Sequence, residues 1–433
     1  MKLLFANADI LSYENDWRLI KKGYLGIEND RIIYVGQNKP DDAYDQVRDL
    51  SGHALIPGLY NMHTHTPMSL LRGLGSGLPL DRWLFEQMLP VERKMTPQHM
   101  SVGNRISMME MLASGVVGFS DMYHHPSNYV ADVIASGMRA NLGHPVMAML
   151  SDDPASLAGR IRESIDFFDQ YNERADGRLL TDFAIHAEYT STAETVRTYA
   201  ELCKERQSRL QIHLSETIKE HEECKQRHGK TPARYFYDLD VFSNPTCAAH
   251  CVAVEPEDMD LLKEKDVTVV HNPSSNMKLG SGYMPIHEMM KRGIRVTLGT
   301  DGDASNNNQN LFEEMHLAAI IHCGYMHDPT LLPVGDLFKM ATIDGAVSQG
   351  RGDCGKLAVG MKADIVAIDL DAPHLMPNHD LLSLLVYSAQ ASDVAMTMVD
   401  GKILYEHKEF LTIDKDRVRY DLRKTLDDLF AEE

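Results

Sequence analysis

The sequence predicts an α/β protein in which a (β/α)8 barrel of the TIM type carries a small β-sandwich domain built from both termini. Three observations lead to this expectation. The middle of the chain, 57–355, alternates apolar strand-like runs with helical segments. The two flanking segments, 1–56 and 356–412, are both rich in short strands. The length of 433 residues exceeds one ordinary domain but suits a large barrel with a smaller appendage.

The flanking segments contain residue pairs that are typical of hairpin turns. Asn29-Asp30 and Asp400-Gly401 each join two short apolar runs, and these residue pairs favour tight turns. The strands expected there cover 3–11, 24–27, 31–35, 363–370, 396–399 and 402–405. The last segment, 413–433, differs because its apolar residues follow helical spacing, which predicts an amphipathic terminal helix.

Eight strand-like runs are expected in the barrel, at 55–60, 116–122, 140–146, 183–186, 210–214, 246–252, 267–271 and 295–300. The active site of such a barrel lies at the carboxyl ends of its strands. Side chains suited to chemistry stand at these ends in this sequence: His63 and His65, His186, His213, His250, His271 and Asp301. The rim of the barrel is therefore where we expect the functional site.

A metal site is the first chemistry that these residues indicate. His63 and His65 are two positions apart, so an extended backbone points both imidazoles to one side. His213 adds a third imidazole and Asp301 a carboxylate, a set suited to zinc or ferrous iron. Such an ion keeps room for a water and activates it as a nucleophile. Because no lysine stands at a strand end to bridge a second ion, we expect one metal ion per subunit, either Zn²⁺ or Fe²⁺.

Two further residues suit proton transfer. Glu216 lies three residues beyond His213 and can act as a general acid and base. The alternative is a glutamate that stabilises a helix N-terminus. His250 can hold the attacking water or stabilise developing charge. Its alternative is a buried, hydrogen-bonded histidine.

Bulk properties exclude several classes of function. The net charge of −20, with no basic cluster, argues against nucleic-acid binding. No apolar stretch is long enough to cross a membrane, and the first residues lack a secretory signal, so a cytoplasmic protein is expected. The six cysteines are scattered, and we interpret them as free thiols. A small molecule is the expected partner.

The motifs together resemble a known family. They include Pro57-Gly58-Leu59, His63-Thr-His65, His213-Leu-Ser-Glu216, His271-Asn-Pro-Ser-Ser-Asn276 and Gly299-Thr-Asp-Gly302. With them the chain resembles the amidohydrolase superfamily and, more narrowly, the 5'-methylthioadenosine/S-adenosylhomocysteine deaminases, essentially from end to end. The resemblance implies hydrolytic removal of the 6-amino group of an adenine nucleoside at one zinc ion, with ammonia and an inosine-type nucleoside as products.

The resemblance also implies roles for individual residues. His63, His65, His213 and Asp301 match the metal ligands. Glu216 matches the residue that protonates a ring nitrogen, and His250 and Asp301 match residues that handle the attacking water. The substrate-binding positions that it implies are Trp83, Glu92, His186, Arg160 and His144. Without the resemblance, Glu92 reads as a surface glutamate, Trp83 as a core aromatic and Arg160 as a helix-surface arginine.

Two departures from the family pattern bear on the substrate. His144 stands where some members have a second arginine, and Glu188 stands where proline is usual. An acidic side chain beside the pocket and one fewer fixed cation would disfavour a carboxylate on the 5' substituent. The expectation is a preference for neutral 5' groups, as in methylthioadenosine or 5'-deoxyadenosine.

Other functions stay open at this point. The same metal chemistry serves hydrolysis of another ring, for instance deamination of guanine or a pterin, or dechlorination of a triazine. A catalytically silent barrel that acts as a binding or assembly module is the alternative from another class. By analogy with similar barrels, a homo-oligomer is expected.

Overall fold

The chain begins with five strands of the smaller domain. In the computed structural model, which describes residues 1–147 and 153–431, these are β1 Lys2–Tyr13, β2 Trp17–Glu28, β3 Arg31–Gly36, β4 Gln46–Asp49 and β5 His53–Pro57. Strands β1, β2 and β3 are antiparallel neighbours, and Asn29 takes a left-handed backbone (φ 57°) in the turn between β2 and β3. Strands β4 and β5 both pair with β1 in parallel.

The chain passes from the small domain into the barrel at Gly58. The run expected as one strand, 55–60, is instead two strands, because β5 ends at Pro57 and β6 begins at Leu59. The N–H of Gly58 donates to the carbonyl of Asp364 in the small domain, and that of Leu59 donates to Gly115 in the barrel. A Cβ at Gly58 would collide with the side chain of Val117, so the crossing requires glycine.

Eight parallel strands then form the barrel, in which each strand pairs with the next along the chain. They are β6 Leu59–Thr64, β7 Val116–Met122, β8 Arg139–Val146, β9 Leu179–Ile185, β10 Leu210–Leu214, β11 Thr246–His250, β12 Thr268–His271 and β13 Val296–Leu298. The first and last strands meet where the N–H of Asp301 donates to the carbonyl of His63 at 2.8 Å. The predicted barrel is confirmed. Some strand ends differ from the prediction: β9, for example, starts at Leu179 because it pairs with β8 from that residue.

Helices connect and surround these strands. In chain order they are α1 Leu80–Arg82, α2 Leu89–Glu92, α3 Pro97–Ala113, α4 Val130–Ser136, α5 Pro154–Tyr171, α6 Ala193–Glu205, α7 Ile218–His228, α8 Pro232–Asp238, α9 Pro256–Glu264, α10 Pro273–Lys278, α11 Ile286–Lys291, α12 Leu311–Met326, α13 Val334–Ala341, α14 Ile343–Ser348, α15 Leu381–Tyr387 and α16 Lys415–Leu429. A π-helical turn, Trp83–Met88, joins α1 to α2. Of the helices that the structure describes, none combines the length and apolarity needed to cross a membrane.

The chain returns to the small domain after the barrel. Strands β14 Ile365–Asp369, β15 Val394–Val399, β16 Lys402–Glu406 and β17 Glu409–Phe410 follow one another as antiparallel neighbours. Strand β14 pairs antiparallel with β5, so both ends of the chain share one nine-stranded mixed sheet, which confirms a small β domain built from both termini. The exact domain limits, 1–56 with 356–412 and 57–355, stay a prediction.

The small domain and the terminal helix both contact the barrel through buried or half-buried polar groups. Arg139, on β8, forms a two-pronged ion pair with Asp364, with distances of 2.7 and 2.9 Å, and reaches Asp400 at 2.5 Å. Burial raises the pKa of Asp364, but the guanidinium outweighs burial and holds that pKa below its usual range. The terminal helix α16 lies against α3, where Arg105 donates to Asp421 at 3.2 Å.

Candidate active site

The four expected metal ligands lie together at the carboxyl rim of the barrel. The Nε2 atoms of His63 and His213 are 3.1 Å apart, and Oδ1 of Asp301 lies 3.1 Å from Nε2 of His65 and 3.6 Å from Nε2 of His63. Ligand atoms in a tetrahedral zinc site are about 3.3 Å apart, given metal–ligand distances of about 2.0–2.1 Å. The donor atoms have the identity that a zinc ion requires, and these three distances are close to those of a tetrahedral site.

Neighbouring groups aim these ligands. Nδ1 of His65 donates to the carbonyl of Met122 at 2.5 Å, and Nδ1 of His213 donates to the carbonyl of His186 at 2.8 Å. Each contact leaves Nε2 as the metal-facing atom. The Oδ2 atom of Asp301 accepts hydrogen bonds from the hydroxyls of Ser275 at 2.6 Å and Ser305 at 2.8 Å. The carboxylate is thus fixed as well as buried.

The charges of the four groups also suit a cation. Burial lowers the pKa of His63 and of His213 well below the usual value, so both are neutral imidazoles, the form that binds metal. Burial also opposes charge on His65, but its hydrogen bond to Asp301 outweighs burial and raises the pKa to about 9. Burial works against ionised Asp301 as well, yet the His65 ring keeps its pKa well below the usual range. A positive charge is stabilised at this point of the site.

Glu216 and His250 face each other beside the ligands. Oε2 of Glu216 lies 3.8 Å from Nε2 of His250, and the Ser281 hydroxyl donates to its Oε1 at 3.4 Å. Burial raises the pKa of the Glu216 carboxyl, which favours the protonated form. Nδ1 of His250 lies 2.9 Å from Oδ1 of Asn276, to which it donates. The pair can store a proton and pass it on.

Sequence reasoning missed one residue that holds Glu216 in position. Glu220, on the first turn of α7, accepts the backbone N–H groups of Ser215 at 3.1 Å and Glu216 at 2.7 Å. Ser215 has a left-handed backbone (φ 46°), so these bonds stabilise an unusual turn. Burial, reinforced by the charge of Glu216, raises the pKa of Glu220 to about 7. A second glutamate four residues after the first was the available signal.

A cavity opens beside these groups. Three of the predicted substrate residues, Trp83, Glu92 and His186, line it together with Tyr123. The Tyr123 hydroxyl donates to Oε1 of Glu92 at 2.6 Å, and burial raises the pKa of Glu92. The indole N–H of Trp83 is buried and has no acceptor among the described residues. Glu92 is thus a half-buried carboxylate that lines the cavity rather than a surface glutamate, and the N–H of Trp83 is available to a ligand.

Two other predicted substrate residues lie elsewhere. His144 is on β8, where Pro145 and Met147 line the cavity, so alternation along the strand turns His144 to the opposite side. Its Nδ1 lies 3.2 Å from the Ser164 hydroxyl. Arg160, on α5, donates from its Nη1 to the Ser156 hydroxyl at 3.2 Å and is not among the described residues that line the cavity. Contact of either residue with a substrate stays a prediction.

Glu188 does not place an isolated charge at the cavity. Its buried carboxylate meets Nη2 of Arg227 at 2.5 Å and Nε2 of His228 at 2.8 Å. It is also not among the described residues that line the cavity. The charge of Glu188 is therefore no reason to expect weaker binding of a carboxylate-bearing substrate, because it is paired where it stands.

Comparison with known proteins identifies the family. The model of the amidohydrolase family matches residues 54–404. The chain belongs to the amidohydrolase family. This amidohydrolase is therefore a metal-dependent hydrolase, and the class of enzyme predicted from the sequence is confirmed.

Curated relatives and a solved structure narrow the likeness. The amidohydrolase is 41% identical to a 5-methylthioadenosine/S-adenosylhomocysteine deaminase of Thermoanaerobacter pseudethanolicus, over 98% of each chain. It is 37% identical to a 5'-deoxyadenosine deaminase of Methanosarcina acetivorans, over 99% of this chain and 98% of the relative. The crystal structure of an adenosine deaminase from Xanthomonas campestris with bound zinc superposes with a TM-score of 0.92, at 28% identity over 99% of this chain and 98% of the other. The narrower resemblance stated from the motifs is confirmed.

Proposed function

We propose that this protein is a zinc-dependent deaminase that replaces the 6-amino group of an adenine nucleoside with oxygen, consuming one water and releasing ammonia. The observation that carries the proposal is the buried Glu216 carboxyl, which faces the same cavity as the cluster of metal-binding side chains. Relatives named as deaminases of methylthioadenosine, S-adenosylhomocysteine and 5'-deoxyadenosine, at 37–41% identity, support the substrate class.

One zinc ion, held by His63, His65, His213 and Asp301, is the cofactor we propose for the reaction. The spacing of the four donor atoms supports zinc, and Fe²⁺ would accept the same ligands. When bound, the ion would supply an activated water as the nucleophile.

The remaining steps belong to side chains of the chain itself. Glu216, whose protonated form is favoured because burial raises its pKa, donates a proton to N1 of the purine and makes the neighbouring C6 electrophilic. His250, 3.8 Å from this carboxyl, and Asp301, which lines the same cavity, accept the proton that the attacking water loses. That proton then passes to the departing amino group, which leaves as ammonia, and the proton of the new C6 hydroxyl returns to Glu216 as the carbonyl forms at C6. No other acid or base is needed for the balance of protons.

The nucleoside is oriented by residues on the opposite wall. Glu92 accepts hydrogen bonds from the ribose hydroxyls, and Tyr123 holds the carboxylate in place from behind. Trp83 offers a buried N–H and an aromatic surface for the ligand, and His186 lines the same cavity. A half-buried carboxylate that accepts two hydroxyls discriminates strongly against substrates that lack them.

The 5' substituent of the preferred substrate is proposed to be neutral. Among the described residues that line the cavity there is no lysine or arginine, so no fixed cation stands ready for a carboxylate. The lining residues support a neutral 5' group, whereas the charge of Glu188 does not, because it is already paired.

The test is ammonia release by the zinc-loaded protein. We expect release from methylthioadenosine, 5'-deoxyadenosine and adenosine, with slower release from S-adenosylhomocysteine, and none from adenine, guanine or a pterin. Glu216→Gln is expected to lower the rate by about 10²–10⁴-fold, because removal of a general acid costs that much. Glu222→Gln is the matched control, since this exposed residue lies on the same α7 helix and outside the cavity.

The outcomes separate the alternatives. Release from guanine, a pterin or a triazine in place of the nucleosides would assign the site to another ring. No release from any compound, with zinc confirmed in the protein, would favour a silent binding module. A homo-oligomer and a cytoplasmic location stay predictions, to be checked by light scattering and by fractionation of cells.

A further inference from the structure

A second group of metal-binding side chains lies on the outer side of the barrel rim. It consists of His125, in the loop after β7, His144 on β8, and Glu163 on α5. One ligand atom from each residue can be chosen so that all three atoms lie within 4.8 Å of one another. Nδ1 of His125 is 2.8 Å from Oε1 of Glu163, and the two imidazole rings are 5.6 Å apart between centroids. Three distant parts of the sequence thus present two imidazoles and one carboxylate at one place.

This cluster is separate from the catalytic ligands. None of its three residues is among the described residues that line the catalytic cavity, whereas His124, Pro145 and Met147, their neighbours in sequence, do line it. The cluster and the cavity therefore lie on opposite sides of the same wall.

Surrounding groups prepare His144 to act as a ligand. The Ser164 hydroxyl lies 3.2 Å from the carbonyl of Arg160, 2.7 Å from the Tyr199 hydroxyl and 3.2 Å from Nδ1 of His144, so it can donate to one of the first two and accept Nδ1–H of His144. That arrangement leaves Nε2 with a free lone pair, as in metal sites whose histidines are held through the other ring nitrogen. Burial lowers the pKa of His144 to about 3, so the ring is neutral at physiological pH.

We propose that His125, His144 and Glu163 bind a second divalent ion of the zinc class, distinct from the ion of the active site. Two imidazoles and one carboxylate suit zinc, cobalt or nickel, whereas calcium and magnesium prefer oxygen ligands alone. The side chains of His125 and Glu163 are 49% and 36% exposed, so an ion can reach the site from solvent and keep water in its open positions. Bound there, the ion joins the loop after β7 to β8 and α5.

The alternative to a metal site is an ordinary ion pair at the surface. His125 and Glu163 make a hydrogen bond without any metal, and exposed pairs of this kind are common. The buried third imidazole distinguishes the cluster from such a pair, because a surface pair gains nothing from His144. The number of ions bound per chain decides between the two.

The first experiment is calorimetric titration of the full-length protein, with its catalytic site already loaded, with Zn²⁺. We expect one further equivalent to bind, and elemental analysis to give two zinc ions per chain at saturation. Crystals soaked in Zn²⁺ and measured at the zinc absorption edge should show an anomalous peak between the three side chains. This second measurement needs no variant and does not depend on activity.

Variants locate the additional ion. His125→Ala and Glu163→Gln should each weaken the additional site by about tenfold or more, because loss of a ligand costs at least as much as loss of a group behind it. His407→Ala and Asp166→Asn are matched controls, being an exposed histidine outside the cluster and an exposed acid on the same α5 helix. Both controls should bind the second ion as the wild type does.

Three results would overturn the proposal. They are a single zinc per chain at saturation, an additional site unaffected by both cluster variants, and equal weakening in the control variants. None of these results bears on the deaminase assay, so the two proposals fail independently.

Discussion

Replacing Glu220 by glutamine tests whether the position of Glu216 depends on a neighbour that never meets the substrate. The wild-type carboxylate accepts two backbone N–H groups, from Ser215 and Glu216, on its two oxygens. Glutamine has nearly the same shape but only one acceptor oxygen, so its NH₂ group faces one of these N–H groups. The turn that presents Glu216 loses one hydrogen bond and gains a clash of donors.

The expected effect follows from the energy of that bond. A hydrogen bond to a charged group contributes about 1.5–3 kcal/mol. If the same energy is lost from the transition state, kcat/KM falls by about 10- to 150-fold. We expect most of the loss in kcat, because Glu220 is not among the described residues that line the catalytic cavity and so should not alter binding of the nucleoside.

The assay is ammonia release across pH, with zinc content and thermal unfolding measured on the same samples. Because the pKa of Glu220 is about 7, the wild-type carboxyl gains a proton below that pH and loses one acceptor. Wild-type activity should therefore fall as the pH drops through about 7, and this step should be absent from the variant. Glu223→Gln, an exposed change on the same α7 helix, is the control. Unchanged kcat/KM in Glu220→Gln, or a loss explained by missing zinc, would refute the positioning role.

Four further predictions concern stability, its dependence on pH, substrate specificity and the metal. Arg139→Met leaves Asp364 buried without its partner and should cost about 3–5 kcal/mol of unfolding free energy in urea; a loss below about 1 kcal/mol would contradict this. Burial raises the pKa of Glu314 to about 8, so its contribution to stability is full below its ordinary pKa and disappears as pH rises to about 8; Glu314→Gln should remove that slope from unfolding curves. Glu92→Gln should raise KM for adenosine more than for 2',3'-dideoxyadenosine, and equal changes would exclude contact with the ribose hydroxyls. Removal of zinc by a chelator should abolish ammonia release, and added zinc should restore it; activity that survives in demonstrably zinc-free protein would contradict the proposed cofactor.

Much of the site could be predicted because the fold converts positions in sequence into positions in space. In a parallel barrel every strand ends at the same rim, so residues that end strands become neighbours whatever their separation along the chain. His63, His213 and Asp301, selected from strand ends alone, do lie together at the rim. Periodicity and turn residues likewise sufficed for the barrel and for the sheet shared by both termini.

Tertiary structure decided what depends on distances between segments and on the direction of side chains. The expected strand 55–60 divides at Gly58, because each half pairs with a different sheet, and no local pattern carries that information. The charge of Glu188 is paired by Arg227, 39 residues away in sequence, so its effect on the substrate could not be judged from its position beside the expected pocket.

The same distinction applies to His144 and Glu220. Which face of β8 meets the cavity depends on the register of the strand, and a shift of one residue reverses every side chain. His144 consequently points away from the cavity, toward His125 and Glu163. Glu220 acquires its role through a left-handed turn at Ser215, a backbone conformation that the residue type does not announce. The sequence by itself determined the fold class and the chemistry available at the rim, since both follow from local pattern and strand order. The partners of each side chain were decided only by the packing of the folded chain.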